Sequence, residues 1–123
     1  MRFGLAEPVI AKIQALFARF PEVQRAILYG SRAKGNFKPG SDIDLTLHGE
    51  SLSQRVLNQI AADLDDLLLP YTFDLSIFAH IENANLREHI ERVGKLFYEK
   101  KSGDEPMRRR GVREGDGEIG RIL

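Results

Sequence analysis

The sequence predicts an α+β domain built on one small sheet. Three observations carry this. Helical and strand periodicities alternate along residues 1–100, glycine or proline marks the junctions between them, and the stretch from Lys101 onward loses its apolar content. The reading is therefore a single folded domain over 1–100 and a flexible tail over 101–123. That tail, through Arg108-Arg109-Arg110 to Gly115-Asp116-Gly117, offers too little apolar surface to offset its ordering entropy. Its arginine run, offset by nearby acids, reads as solvated rather than as a nucleic-acid patch.

The elements follow in order. Pro8 suits a first helical turn, and Val9, Ile10, Ile13, Leu16, Phe17 and Phe20 recur at helical spacing, predicting an amphipathic helix that ends near Phe20-Pro21. Gln24 to Tyr29 is a short apolar run stopped by Gly30, a buried strand. Ser31 to Lys34 predicts a short helix with Ser31 near its N-cap, and Gly35 to Gly40 carries the turn signals of a loop. Asp42 to His48 is the second strand. A helix capped by Ser51 or Ser53 follows, its apolar face formed by Leu52, Val56, Leu57, Ile60, Leu64, Leu67 and Leu68, and Pro70 ends it. Asp63, Asp65 and Asp66 fall on its wet face. Thr72 to Phe78 is a third strand, Asn83 to Val93 a helix striped by Leu86, Ile90 and Val93, and Lys95 to Glu99 a last short strand.

Composition removes several function classes. Lysine plus arginine equals aspartate plus glutamate at 18 each. Proteins that grip long nucleic acid through its phosphates carry a basic excess, so no stable nucleic-acid partner is expected. Cysteine is absent, which excludes disulfides, thiol catalysis and cysteine-ligated zinc. No apolar run approaches the roughly 18–20 residues that span a bilayer, and the stretch from Met1 to Pro8 lacks the apolar core of a signal peptide. The expected compartment is the cytoplasm, away from membranes. His48, His80 and His89 lack ligand spacing and read as surface or packing residues.

The chemistry is concentrated in Gly30-Ser31-Arg32-Ala33-Lys34-Gly35 and, a short loop later, Ser41-Asp42-Ile43-Asp44-Leu45. On a strand, alternate side chains share a face. Asp42 and Asp44 therefore project together while Ile43 and Leu45 enter the core. Like charges this close raise each other's pKa unless a cation lies between them, and hard oxygen ligands suit Mg²⁺ shared with substrate phosphates. Asp74 interrupts an apolar strand between Phe73 and Leu75, a costly position for an unpaired charge. If the third strand neighbours the second, Asp74 joins the other two on one face. Three carboxylates can then hold a pair of Mg²⁺ ions for a phosphoryl or nucleotidyl displacement, with Asp74 placed to take the acceptor's proton. Gly30 lets backbone approach phosphates without an intervening Cβ. The amides that follow and the Ser31 hydroxyl supply donors. Lys34, and to a lesser degree Arg32, add positive charge, and Ser41 completes the expected nucleotide-binding set.

These two segments resemble the signature of the DNA polymerase β-like nucleotidyltransferases. The small size resembles the minimal nucleotidyltransferases, the MntA-like antitoxin halves of HEPN–MNT toxin–antitoxin pairs. The resemblance covers about residues 10 to 98, and Asp74 in Phe73-Asp74-Leu75-Ser76 falls where that family places its third metal-binding carboxylate. It implies a palm-like fold with a mixed sheet, helices packed mainly on one side, ATP as donor, Mg²⁺ as cofactor and pyrophosphate as leaving group. It further implies transfer of AMP to a tyrosine of a partner HEPN ribonuclease. Composition and spacing do not identify the acceptor. Neutralisation by complex formation alone and transfer to a small molecule stand beside transfer to a protein, and a dimer or mixed assembly is open.

Overall fold

The computed structural model describes residues 2–101. The expected tail over 101–123 lies, beyond Lys101, outside the described residues. Four helices and four strands form in the order α1 (Glu7–Ala18), β1 (Arg25–Tyr29), α2 (Ser31–Lys34), β2 (Ile43–His48), α3 (Gln54–Asp66), β3 (Phe73–Ile77), α4 (Ala84–Val93) and β4 (Lys95–Glu99). A single 3₁₀ turn, Phe78–His80, follows β3. The strands make one mixed sheet in the order β3-β2-β1-β4. β1 runs antiparallel to both β2 and β4, and β2 runs parallel to β3. A parallel pair needs a crossover, and α3 supplies it.

Alternation along the strands assigns the two sheet faces. Ala26 and Leu28 of β1, Ile43, Leu45 and Leu47 of β2, and Ile77 of β3 are buried in one apolar core. Ile10, Ile13, Leu16 and Phe17 of α1 and Leu57, Ile60 and Leu64 of α3 close it. The other face carries Tyr29, Asp44, Thr46 and Asp74. There α4 packs against β1 on the side of Ile27, whose Cγ2 is the near neighbour of Gly94. Helices thus lie mainly, though not wholly, on one side, and the uncovered part of the second face is where the carboxylates stand.

The element ends differ from expectation in physically simple ways. Gly30, not Ser31, is the N-cap of α2, and Ser31 is its first helical residue. Of the two serines ahead of α3, Ser53 is the cap, its hydroxyl accepting the Val56 N–H at 3.3 Å. α3 stops at Asp66 with Leu67 as its C-cap, ahead of Pro70, which disfavours helical backbone at Leu69. The chain then turns through Leu68 at φ +55°, leaving this leucine 87% exposed rather than on the apolar face. β3 gives up Phe78 to the 3₁₀ turn.

Leu45 is fully buried, flanked in register by Leu28 and Leu75. Leu45→Ala should lower stability by about 3 kcal/mol, the cost of a poorly collapsing core cavity. Urea denaturation with an unchanged slope would register this as a shift in midpoint.

Candidate active site

The sheet register builds the site. Asp44 is the Cα partner of Tyr29 on one side and of Asp74 on the other. Neighbouring strands are about 4.8 Å apart, so Tyr29, Asp44 and Asp74 form a row across three strands on one face. Asp42, two residues before Asp44, projects to the same side. Asp44 is half-buried, whereas Asp42 and Asp74 are exposed. The Asp44 carboxyl is pushed above the usual carboxylate range, first by burial, then by the charge on Asp74, then by that on Asp42. Burial also leads in pushing the Tyr29 phenol upward, with the charges on Asp74 and Asp44 adding and the nearby Ser76 hydroxyl opposing.

Among the described residues, no side chain hydrogen-bonds or ion-pairs with Asp42, Asp44 or Asp74. Nor do any three acidic or imidazole side chains among them stand in a ready-made metal cage. The donor set is nonetheless of the right chemistry for a hard divalent cation. It consists of three carboxylates on one face, with the charged form of the central one disfavoured first by burial and then by its two neighbours.

The glycine turn lies against this cluster. Gly30 follows Tyr29 directly and adopts φ +76°, ψ −156°, a conformation essentially reserved for glycine. A Cβ there would collide with the Asp44 Oδ2. The two sequence segments singled out for phosphate and metal chemistry are therefore in contact. Ser31 and Lys34 open and close α2, Ser31 half-buried and Lys34 exposed.

Arg32 plays a different part from the one its charge suggested. It is 3% exposed. Its Nε and Nη2 donate to the Ser41 carbonyl at 3.1 and 2.9 Å, and its Nη1 donates to the Phe3 carbonyl at 2.9 Å. The guanidinium also lies 5.2 and 5.3 Å from the ring centroids of Phe37 and Tyr71. Arg32 is thus an internal clamp rather than a cation facing a phosphate. Ser41 is fixed twice, since its Oγ accepts the Lys38 N–H at 2.9 Å. The backbone entering Asp42 is consequently held from both ends of one residue.

Sequence reasoning missed Tyr29 and the clamp. For Tyr29 a signal existed: in β1 it alternates with the core residues Ala26 and Leu28, so it faces away from them. For Arg32 the flanking aromatics Phe37 and Tyr71 are too distant in sequence to announce a shared cavity.

Comparison with known proteins fits this geometry. A family model described as polymerase beta nucleotidyltransferase matches residues 11–103. The chain belongs to this nucleotidyltransferase family. Among solved structures it is similar to a crystal structure of a toxin–antitoxin with AMP-PNP, at 25% identity and a TM-score of 0.60 over 82% of this chain and 79% of that one. The MntA-HepT toxin–antitoxin crystal structure shares the fold at 22% identity and a TM-score of 0.58, over 81% and 78% of the two chains. So does a tri-AMPylated Shewanella oneidensis HEPN toxin in complex with MNT antitoxin, at 22% and 0.57 over 80% and 76%. No curated protein matches. Among the described residues, no helix is long and apolar enough to cross a membrane.

Two outcomes are expected from the site. Arg32→Ala removes the partner of the part-buried carbonyls of Ser41 and Phe3 and should cost about 2 kcal/mol. Arg32→Lys should recover less than half of that, because an ammonium cannot reproduce the forked donors. Thermal unfolding of both variants tests this. Asp44→Asn should stabilise the fold at neutral pH. A carboxyl whose folded pKa is raised penalises the native state once it ionises. The gain should therefore be absent below the ordinary carboxylate pKa of about 4, grow as the pH rises from there to the raised value, and level off above it. With the group half open to water it should stay below about 1 kcal/mol. Stability measured from pH 3 to 8 for both proteins would reveal the opposite slope if Asp44 were instead stabilised as an anion.

Proposed function

We propose that this chain is an antitoxin that transfers AMP from ATP to a hydroxyl, a tyrosine, of a partner HEPN toxin. The observation that carries this reading is the half-buried Asp44, flanked by Asp42 and Asp74 and abutted by the Gly30 turn. Family membership supports nucleotidyl transfer. A similar structure holding AMP-PNP supports ATP as donor, and one containing an AMPylated HEPN toxin supports the acceptor.

In this reading Asp42, Asp44 and Asp74 would hold Mg²⁺, two ions in all, which would supply charge neutralisation for the phosphates and a lowered pKa for the acceptor hydroxyl. The residues of the chain do the rest. Gly30 gives the triphosphate access to backbone amides, the Ser31 hydroxyl donates to it, and Lys34 supplies positive charge. Ser41, fixed by Arg32, sets the direction from which Asp42 approaches. The acceptor oxygen bonds to the α-phosphorus, the bond from that phosphorus to the β-phosphate oxygen breaks, and pyrophosphate leaves. The hydroxyl proton passes to the Asp74 carboxylate. Residues 1–100 suffice for this chemistry, which takes place in the cytoplasm.

Three carboxylates share one face, with the charging cost of Asp44 raised by burial and by its two neighbours, and a purely steric inhibitor has no need of that arrangement. That favours catalysis over neutralisation by complex formation alone. With ATP labelled on its α-phosphate, Mg²⁺ and a cognate HEPN toxin, label should appear on the HEPN protein. It should fall at least a hundredfold with Asp42→Ala plus Asp44→Ala, as expected when transition-state charge stabilisation is removed. A double variant that neutralises the toxin as well as wild type would reject the catalytic reading, and label found only on a small metabolite would reject the protein acceptor.

A further inference from the structure

The two edges of the sheet are treated differently. β4 is partly blunted: Gln14 of α1 reaches across and its Nε2 donates to the Phe97 carbonyl at 2.8 Å, and the strand is bulged where it pairs with β1. Lys95 begins it and Lys100 follows it. β3 has none of these devices. Its sequence, Phe-Asp-Leu-Ser-Ile, contains no lysine, proline or bulge, and such an edge is a template for a further strand. The pairing with β2 tells which backbone groups are free. The Ile43 N–H donates to the Thr72 carbonyl at 2.9 Å. In a parallel ladder this directs the amides of Asp74 and Ser76 toward β2 and leaves those of Phe73 and Leu75 on the open edge. Among the described residues no backbone group outside β2 bonds to them.

Beside this edge lies a cavity of about 490 Å³ between α3 and β3. Gln54, Asn58 and Asp65 of α3 form one wall, and Tyr71, Phe73 and Asp74 belong to the other. Asp65 gives it a carboxylate, whereas Asp74 lines it from a strand position whose side chain faces the other side of the sheet, and among the described residues its lining has no lysine or arginine. Triphosphate would be repelled here. A peptide with a basic side chain would be attracted, and the cavity runs up to Asp74 at the end of the row that begins with Tyr29.

We propose that the acceptor protein docks as an added β-strand along β3, with its hydroxyl residue as the next member of the Tyr29–Asp44–Asp74 row and a basic side chain over Asp65. This rests on the transfer reading above and specifies how its substrate is presented. Main-chain hydrogen bonds to Phe73 and Leu75 give affinity, and the acidic cavity gives selectivity. Nucleotide and acceptor then enter from opposite sides of the carboxylates.

Hydrogen exchange of the wild-type chain with and without its HEPN partner tests the docking. The Phe73 and Leu75 amides should become protected on binding, while those of Asp74 and Ser76 stay as they were. Asp65→Lys should weaken partner binding about tenfold with the KM for ATP unchanged, and Asp66→Lys, on the same helix but outside the cavity lining, should change neither. Partner binding and label transfer that leave Phe73 and Leu75 unprotected, or are indifferent to Asp65→Lys, overturn the docking and leave the transferase intact. Protection already present in the isolated chain, together with a dimer in solution, assigns the edge to a second copy and also overturns it. A wild-type chain that neither binds nor modifies the partner overturns the transferase reading, and the docking with it.

Discussion

The pairing of β2 with β3 governs the rest of the molecule. It sets Asp44 beside Asp74, and with Asp42 two residues away it confines three negative charges to one patch. Left to themselves these groups would separate. They are held by the opposite face, where Ile43, Leu45 and Leu47 are fully buried with Ile77 nearly so. A slip of one residue would turn Asp44 and Asp74 into that core and its leucines into water. Burial of several apolar side chains, each contributing about 2 kcal/mol, outweighs a carboxylate repulsion softened by half-exposure. Electrostatic strain on one face is thus maintained by hydrophobic packing on the other.

Two further devices sharpen the patch. Gly30 removes the one side-chain atom that would displace the Asp44 carboxylate, and Arg32 fixes the backbone entering Asp42 through Ser41. Both come from the same six-residue segment. A buried guanidinium is costly unless its donors find partners. Here three bonds to carbonyl oxygens and two aromatic faces answer that cost. The cation therefore acts on geometry, and the exposed Lys34 is left as the basic residue of α2 free to face solvent.

Much of this was legible beforehand. Strand and helix periods located the four strands and the three long helices, each with an apolar stripe and a glycine or proline near its border, whereas α2 was read from its flanking glycines and the 3₁₀ turn at Phe78 was not anticipated. The Gly-Ser turn and the Asp-x-Asp pair were legible as chemistry, since a charge recurring at strand spacing in an apolar run has few structural uses. The adjacency of Asp74 was conditional, because pairing order is a non-local property that no window of sequence contains. The same limit explains Arg32, whose partners Phe3, the loop residues Phe37 and Ser41, and Tyr71 come from three separate stretches. The misplacement of Leu68 has another origin. The helical period runs on past the point where Pro70 forces the backbone out of helix, so a pattern-matching residue ends in water.

The third donor of the clamp ends on Phe3, which itself adopts φ +57°, next to Gly4 at φ +74°. A side chain at Gly4 would meet both Phe37 and the Arg32 guanidinium. The first few residues are therefore a wall of the catalytic neighbourhood and not a spare handle. An affinity label joined just ahead of Arg2 would pull on the same hub that orients Asp42.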